Sequence, residues 1–397
     1  MKGIWLTIAA LVLIPWSGSR AELGPESAAS SPPSHAALRL TVHDYGLCFG
    51  NSQRTRGARF NLSDRGLERV DGLSLTFWKP RDNPTAVING IAVGLIAPVA
   101  KRINGFALGG IAAVGESSLR GINIGGVAVV SEGELAGLNI ASVAIVGEER
   151  VAGISVAGVA IVSEKQTIGV NLAGLATVSR KGLIGINVGG LATVCEGTSH
   201  GLAIGGLATV SEHGAEGINL GGLAVVSEGS ARGLTLSGLA TVCGEASWGI
   251  AASGVGVVCD GDFTGLCVGV LPFPERIGDS IKHWSIDGIR AERLTGLAVH
   301  GMSIQVSGLV SGIALSGLYL RAEQLRGFGL APLVRAGEMK GIVAGALNSI
   351  SRRQSGIAIG LVNVASALKG IQFGLLNYAG NNPRGLRLLP LVNLHLK

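Results

Sequence analysis

The chain has 397 residues, of which 64 are Gly and 15% are charged, whereas globular proteins average ~7% Gly and ~25% charged residues. The hydrophobic fraction of 47% and the mean hydropathy of +0.47 exclude a largely disordered chain, which would lack the apolar surface needed to offset the entropy of ordering. The formal net charge is +6. An average globular domain is also excluded, so internal repeats must be sought before domains are assigned.

Residues 1–21 have the pattern of a secretory signal peptide. An apolar run extends from Ile4 to Trp16, and Ser19 and Ala21 occupy the −3 and −1 positions of a cleavage site. The run is shorter than the ~20 residues that a membrane-spanning helix needs. We therefore expect an exported chain, located at the cell surface, in the outer membrane or outside the cell.

Glycine-rich repeats fill most of the remaining chain. From Gly105 to Gly265 a Gly recurs every 16 residues, which gives ten consecutive units without an insertion. When this Gly is position 1, positions 2, 4 and 7 are aliphatic in nearly every unit, positions 5 and 6 are small, position 10 is Val and position 12 is mostly Glu. The predicted organisation is a disordered leader and N-terminal cap at 22–56, irregular repeats at 57–104, regular repeats at 105–270, an insertion at 271–295 and repeats of 14–16 residues at 296–397.

The aliphatic pattern indicates two short strands in each unit. Positions 2 and 4 alternate with the period of a strand, and so do positions 7 and 9, but the two pairs are offset by three residues. Small residues at positions 5 and 6 would supply a bend that lets both strands point the same way. A helix would lose roughly 2–3 kcal/mol per unit from its Gly and β-branched residues. We therefore predict a β-turn-β unit with a polar corner at positions 11–16, and a loop or short helix in the insertion.

Two all-β folds are compatible with these units. Parallel stacking would make a repeat protein, a β-solenoid of about twenty coils of 14–16 residues that rises ~4.8 Å per coil. The alternative is an outer-membrane up-and-down β-barrel, in which each unit forms one strand. With three Tyr and five Trp, the chain has too few aromatic residues for two aromatic girdles, so the solenoid is favoured.

Stacking would align equivalent positions of successive units in columns. Position 12 would form a carboxylate column from Glu116 to Glu228, which would bind cations, be offset by bases or sit in water. Position 3 would form a column of amides that hydrogen-bond along the stack in a structural role. Its members are Asn123, Asn139, Asn171, Asn187 and Asn219.

Two cysteines distinguish the folds. Cys243 and Cys259 occupy position 11 of adjacent units, so a stack places their Cα atoms ~4.8 Å apart, within the range of a disulfide. In a barrel they would lie at opposite ends of neighbouring strands, on the order of 30 Å apart. Because an exported chain meets an oxidising compartment, the solenoid predicts a structural disulfide between them. Cys195 lies three units earlier and is expected to stay unpaired.

The sequence contains no nucleophile elbow, phosphate-binding loop, nucleotide-binding glycine motif or zinc-ligand spacing. We therefore predict no enzymatic activity, cofactor or metal site. Nucleic acid is not expected as a partner, because the chain is exported and has few aromatic residues for base stacking. An envelope or host-surface polymer or protein, or a membrane, remains a possible partner. Residues 105–264 hold 6 bases and 13 acids, whereas 265–397 hold 14 bases and 6 acids. This asymmetry is compatible with end-to-face association, with contacts to anionic envelope polymers or with a merely solvated surface.

The last units carry a family resemblance. Gly356-Ile-Ala-Ile-Gly-Leu-Val-Asn363 and Gly370-Ile-Gln-Phe-Gly-Leu-Leu-Asn377 resemble the Gly-x-Gln-x-Gly-x-x-Asn units of the glycine-rich surface-repeat proteins that bacteria secrete, first described in leptospires. The resemblance covers about 57–397, and in the regular block position 8 is Ala instead of Asn. It implies an envelope or surface location and supplies no catalytic residue. We thus expect a non-enzymatic exported repeat protein with a structural or adhesive role; the barrel would instead form an outer-membrane pore or anchor.

Overall fold

The computed structural model shows a β-solenoid of about 19 turns, with 76% of the described residues in strands, as the repeat pattern predicts. Successive coils pair in parallel, and each position-1 Gly is in register with the next, as Gly121 is with Gly137. Neighbouring strands of an up-and-down barrel run antiparallel, so the barrel alternative is wrong. The predicted signal peptide lies outside the described residues, which are 37–42, 45–80, 83–271, 274–277, 280–284 and 288–396.

Each regular coil contains one long and one short strand. The long strand covers positions 14–16 and 1–5, the short strand covers positions 8–11, and turns occupy positions 6–7 and 12–13. The polar corner is therefore shorter than the predicted span of positions 11–16. The long strands are Glu134–Ala141, Arg150–Ala157, Gln166–Ala173, Gly182–Gly189, Thr198–Gly205, Gly214–Gly221, Ser230–Ser237, Ser247–Ser253 and Asp262–Gly269; the short strands are Ala128–Ser131, Ala144–Gly147, Ala160–Ser163, Ala176–Ser179, Ala192–Cys195, Ala208–Ser211, Ala224–Ser227, Ala240–Cys243 and Gly256–Cys259.

The recurring Gly bends the long strand. At Gly185 the backbone φ is +101°, a region that other residues rarely adopt, and an added Cβ would lie 2.3 Å from the carbonyl oxygen of Gly169 on the preceding coil. None of the three successive residues Ile184, Gly185 and Ile186 is buried. In a flat strand, every second residue would point into the core. The chain thus turns a convex corner at position 1. Each coil has three short sides, formed by positions 14–16, 2–5 and 8–11.

Side chains at positions 3, 5, 9, 11 and 15 point into the solenoid. The expectation that positions 2, 4, 7 and 9 point the same way is wrong, because the bend at position 1 and the turn at 6–7 shift the alternation. Only position 9 of that set is interior. Two large hydrophobic clusters fill most of the core, one from Leu67 to Ala173 and the other from Ala231 to Ala365, and a small third cluster contains Ala97, Ala112 and Val114. The coils between the two large clusters enclose smaller and more polar side chains, such as Thr209.

Less regular coils flank this block, and an antiparallel strand pairs with each end. Ala37–Val42 pairs with the first coil, and Leu388–His395 pairs with the last after a 3₁₀ turn at Arg384–Leu386. The predicted insertion contains an antiparallel hairpin of Pro274–Ile277 and Ser280–Trp284 instead of a loop or helix. The remaining strands are Tyr45–Gly50, Arg54–Asn61, Arg69–Thr76, Val87–Gly94, Val99–Gly109, Ala112–Gly125, Ile289–Ala291, Arg293–His300, Ser303–Ser316, Tyr319–Leu330, Leu333–Ala344, Leu347–Ile359 and Val362–Ala379.

Among the described residues, no helix is both long enough and apolar enough to cross a membrane.

Candidate functional site

The predicted amide column lies inside the solenoid on the side formed by positions 2–5. Asn123 Nδ2 donates to Asn139 Oδ1 at 2.8 Å, and Asn139 Nδ2 donates to Ser155 Oγ at 3.2 Å. Asn171 Nδ2 donates to Asn187 Oδ1 at 2.9 Å. All of these side chains are buried, so the bonds satisfy at least one donor or acceptor of each amide that water cannot reach, whereas Oδ1 of Asn123 and of Asn171 and Nδ2 of Asn187 have no partner in the structure. The column is thus divided into two hydrogen-bonded groups.

Asn219 belongs to the same column but is isolated. Its register neighbours are Ala203 and Thr235, and neither Oδ1 nor Nδ2 of its buried amide has a hydrogen-bond partner in the structure. A buried amide without partners destabilises the folded state. Four of the five predicted amides are therefore brought together in pairs, and the fifth is not.

A second amide column, which the sequence analysis did not identify, lies in the C-terminal coils. Asn348 Nδ2 donates to Asn363 Oδ1, and Asn363 Nδ2 donates to Asn377 Oδ1, both at 2.7 Å. The register places Asn348 and Asn363 in line with position 9, on the side formed by positions 8–11. The Asn spacing of 14–15 residues was the signal that could have revealed it.

Buried hydroxyl groups hold the turns from inside. Thr193 Oγ1, at position 9, donates to the Ile204 carbonyl at 2.6 Å. Ser211 Oγ, at position 11, donates to the Gly214 carbonyl at 2.7 Å and thereby spans the corner at positions 12–13. Three coils have Cys instead of Ser at position 11, and a thiol there occupies the place of a turn-bonding hydroxyl.

Cys243 and Cys259 are register partners on adjacent coils. Both are buried and both are free thiols, so the predicted disulfide is not formed in this structure. A hydrogen bond to Cys259, followed by burial, raises the pKa of the Cys243 thiol. Cys195 lies between Ser179 and Ser211 in register, and burial raises its pKa to about 11. The structure therefore brings the predicted pair together and leaves Cys195 apart from it.

The position-12 carboxylates line the short corner that faces solvent. Burial, followed by the charges of Glu132 and Glu164, raises the pKa of Glu148. Arg180 Nη1 lies 3.4 Å from Glu164 Oε1, so a base on the next coil offsets part of this charge. No group of three His, Cys, Asp or Glu within the described ranges could hold a metal ion. The corner therefore has the features of a partly neutralised acidic edge.

The opposite part of each coil has no charge at all. In residues 105–264, all 6 basic and 13 acidic side chains occupy positions 12, 13, 14 and 16. Positions 2, 4, 7, 8 and 10 point outward and are mostly aliphatic. We call their outer side chains the uncharged surface. It extends over ten consecutive coils and covers the side formed by positions 2–5, the corner at positions 6–7 and the less exposed side formed by positions 8–11. Extended exposed apolar surfaces commonly mark interaction sites.

The corner of the uncharged surface is a row of aliphatic residues at position 7, which we call the ridge. Their exposed fractions lie between 37% and 51%. Hydrogen bonds join this turn to the same turn of the preceding coil. The Val159 N–H donates to the Val143 carbonyl at 2.9 Å, and the Leu175 N–H donates to the Val159 carbonyl at 2.9 Å. The ridge residues are Ile111, Val127, Val143, Val159, Leu175, Leu191, Leu207, Leu223 and Leu239.

A shallow apolar groove of about 370 Å³ runs beside the ridge. Its wall is formed by Ile204, Leu220 and Leu236 at position 4, and its floor by the small residues at positions 5 and 6. Glycine is favoured at Gly222 on this floor, since a Cβ there would lie 1.9 Å from the carbonyl oxygen of Gly206. Small residues at position 6 therefore keep the groove open and the coils close together.

Arginines join the outer surface in the C-terminal coils. Arg290, Gln305, Arg321 and Arg335 follow one another in register at position 10, on the side between the ridge and the acidic corner. The first three line a polar cavity of about 350 Å³ together with Glu323 and other residues. In the described part of the chain, neither Arg321 nor Arg335 forms an ion pair or side-chain hydrogen bond.

No protein-family model, curated protein or solved structure significantly matches this chain. Function therefore has to be argued from the columns, the acidic corner and the uncharged surface.

Proposed function

We propose that this chain is an exported, non-enzymatic repeat protein of the cell envelope or cell surface, with a structural or adhesive role. The observation that carries the proposal is the uncharged surface, which repeats the same outward side chains on ten consecutive coils. Repeat proteins commonly use such extended surfaces for binding. The signal-peptide pattern at residues 1–21 and the resemblance to secreted surface-repeat proteins support the location.

The interior supports a structural role. Amides and hydroxyls inside the coils bond to neighbouring coils, which supports a structural role for these side chains. Backbone hydrogen bonds join each coil to the next along the whole stack, which is the arrangement of a rigid rod. A rod with one repeated outer surface suits attachment along its length.

Fractionation of producing cells, combined with protease treatment of intact cells, tests the proposal. The mature chain should appear in the envelope or medium, and external protease should cleave any chain that remains on the cell. A Leu11→Arg/Leu13→Arg variant interrupts the apolar run of the signal and should remain in the cytoplasm. Cytoplasmic retention of the unaltered chain would overturn the proposal.

A further inference from the structure

We infer that the uncharged surface binds an anionic lipid bilayer, with the ridge inserted among the acyl chains. This inference rests on the proposed function and names the partner of the same surface. A second copy of the chain is the competing occupant.

The shape of the surface favours lipid. The aliphatic side chains cover the side formed by positions 2–5 and the ridge, as at Ile218, Leu220 and Leu223 of one coil, and continue on the next side as the half-buried Ala224 and Val226. A flat partner of standard size takes roughly 800 Å² from one patch and would leave the other side in water. Acyl chains are fluid and can cover both sides of a corner. Two-sided apolar exposure is therefore better matched by a bilayer than by a second rod.

The backbone of the ridge is also suited to a medium without water. Unpaired N–H and C=O groups are costly in hydrocarbon. The N–H groups of the turn at positions 6–8 are all paired with carbonyl groups of the preceding coil. The Gly222 N–H donates to the Gly205 carbonyl, and the N–H groups of Leu223 and Ala224 both donate to the Leu207 carbonyl. The distances are 3.1, 2.7 and 3.1 Å. The ridge can enter lipid without breaking a hydrogen bond.

The positions of the charged side chains are compatible with binding of the ridge to a bilayer. The side opposite the ridge is formed by positions 14–16, and it carries charges such as Arg120, Glu134 and Glu216 that would remain in water. Arg321 and Arg335 lie at position 10, between the ridge and the acidic corner, and have no carboxylate partner in the described chain. They are complementary to anionic headgroups at the depth where an inserted wedge meets the interface. The proposed orientation thus places the ridge in lipid, Arg321 and Arg335 at headgroup depth, and the charges of positions 14–16 in water.

Vesicle flotation of the purified chain tests the inference, with phosphatidylcholine vesicles that contain or lack phosphatidylglycerol. The unaltered chain should float with the anionic vesicles. The ridge variant, Leu175→Glu/Leu207→Glu/Leu239→Glu, should bind at least ~100-fold more weakly, since three aliphatic side chains are withdrawn from lipid. An Arg321→Gln/Arg335→Gln variant should lose about 10-fold in affinity for anionic vesicles only.

The matched control is Ala152→Glu/Ile184→Glu/Trp248→Glu, which adds the same three charges at position 16, away from the ridge. It should float like the unaltered chain. A Leu175→Gln/Leu207→Gln/Leu239→Gln variant gives the ridge test without added charge, and circular dichroism with thermal unfolding checks that every variant retains the fold.

Failure of the unaltered chain to bind either vesicle type would overturn the inference, and so would vesicle binding by a folded ridge variant at full strength. A dimer in lipid-free solution that the ridge variant dissociates, without any vesicle binding, would assign the surface to a second copy. Because the assay uses purified chain, its failure is separate from failure of the proposed function, which depends on cellular location.

Discussion

The regular block and the C-terminal coils use the same fold but stabilise their interiors differently. In the regular block, amides occupy position 3 and form two short groups, whereas Asn219 has no partner in the structure. In the C-terminal coils, amides in line with position 9 form an unbroken series. There the Asn363 amide donates to Asn377 Oδ1 at 2.7 Å and to the Phe373 carbonyl at 2.9 Å.

The difference teaches that an amide stabilises a solenoid only when its neighbours continue the column. A buried amide with both donors satisfied contributes to stability, whereas one placed between non-bonding neighbours costs the energy of its desolvation. Repetition of the position alone, as at Asn219, is therefore insufficient. The recurring Gly, in contrast, has the same role in both regions, because each one packs against the backbone of the preceding coil.

The largest expected effect is the loss of this shared Gly. Gly185→Ala should destabilise the fold by at least ~4 kcal/mol, because the new Cβ would approach the Gly169 carbonyl oxygen to 2.3 Å at a φ of +101°. Gly356→Ala in the C-terminal coils should be as damaging, with a contact of 2.1 Å to the Gly341 oxygen. Urea unfolding measures both.

Gly182→Ala is the matched control, since its Cβ would have no heavy atom nearer than 3.5 Å. This variant should unfold within about 1 kcal/mol of the unaltered chain. Equal stability of Gly185→Ala and Gly182→Ala would contradict the role assigned to the corner.

The next effect separates the two amide columns. Asn363→Ala should destabilise the fold by roughly 3–4 kcal/mol, because it removes the bonds of Asn363 and leaves the amide of Asn348 and the oxygen of Asn377 without their column partner. Asn219→Ala should be neutral or slightly stabilising, since no bond is lost. The midpoints of urea unfolding of the two variants test this prediction. A larger loss of stability in Asn219→Ala than in Asn363→Ala would contradict the role assigned to the continuous column.

A third experiment joins two coils covalently. Oxidation of the native chain by copper–phenanthroline and oxygen should link Cys243 to Cys259, with release of both thiol protons and transfer of two electrons to the oxidant. The link should add up to about 3 kcal/mol of stability over the Cys259→Ser variant. Non-reducing peptide mapping identifies the bond.

The rate of this oxidation should rise with pH, because the thiolate is the reactive form, and Cys259 should ionise first, since its hydrogen bond with Cys243 lowers the pKa of Cys259. Cys195, without a Cys register partner, serves as the internal control. A bond from Cys259 to Cys267 or Cys195 in the native chain would show that the register does not determine the pairing.

The smallest effect concerns the acidic corner, which in the C-terminal coils includes Arg352 beside Glu323 and Glu338. The pKa of Glu148 is raised in the folded state, so folding favours its protonated form and the ionised form opposes folding. The stability contribution should therefore be greatest below the ordinary pKa of 4.5 and be lost as the pH rises through the folded pKa. Glu148→Gln should stabilise by less than ~1 kcal/mol at pH 7 and have no effect in acid.

The adjacent Glu149 should behave in the opposite way. A hydrogen bond from Lys165 and then the charge of Lys165 lower its pKa, so its ionised form favours folding at neutral pH. This contribution should be lost as the pH falls through the lowered pKa. Thermal unfolding of Glu149→Gln across the same pH range should give a sign opposite to that of Glu148→Gln, and equal signs would refute the assignment.

The sequence predicted the solenoid and the register because the 16-residue period has no insertions in the regular block. The period also placed Cys243 beside Cys259 and Asn171 beside Asn187. It did not predict which side chains face inward, since a Gly with positive φ in the middle of a strand resets the alternation without changing the residue count.

Irregular spacing concealed other features. The fully buried Arg59 lies 2.8 Å from Asp64, which also accepts hydrogen bonds from Asn61 and Thr76. These residues lie in N-terminal units of unequal length, so no column indicated that they would meet. A buried charge pair that occurs once in the fold has no repeated pattern in the sequence, so a single sequence does not predict it.

The strand that closes the C-terminal end determines how far the rod can extend. Stacked parallel coils would otherwise present an open edge, and open edges recruit further strands into filaments. Leu388–His395 covers the last coil in the antiparallel direction and contains Pro390, which has no N–H to offer an incoming strand. A fold that resembles a fibre in cross-section is thereby kept to the length of one molecule.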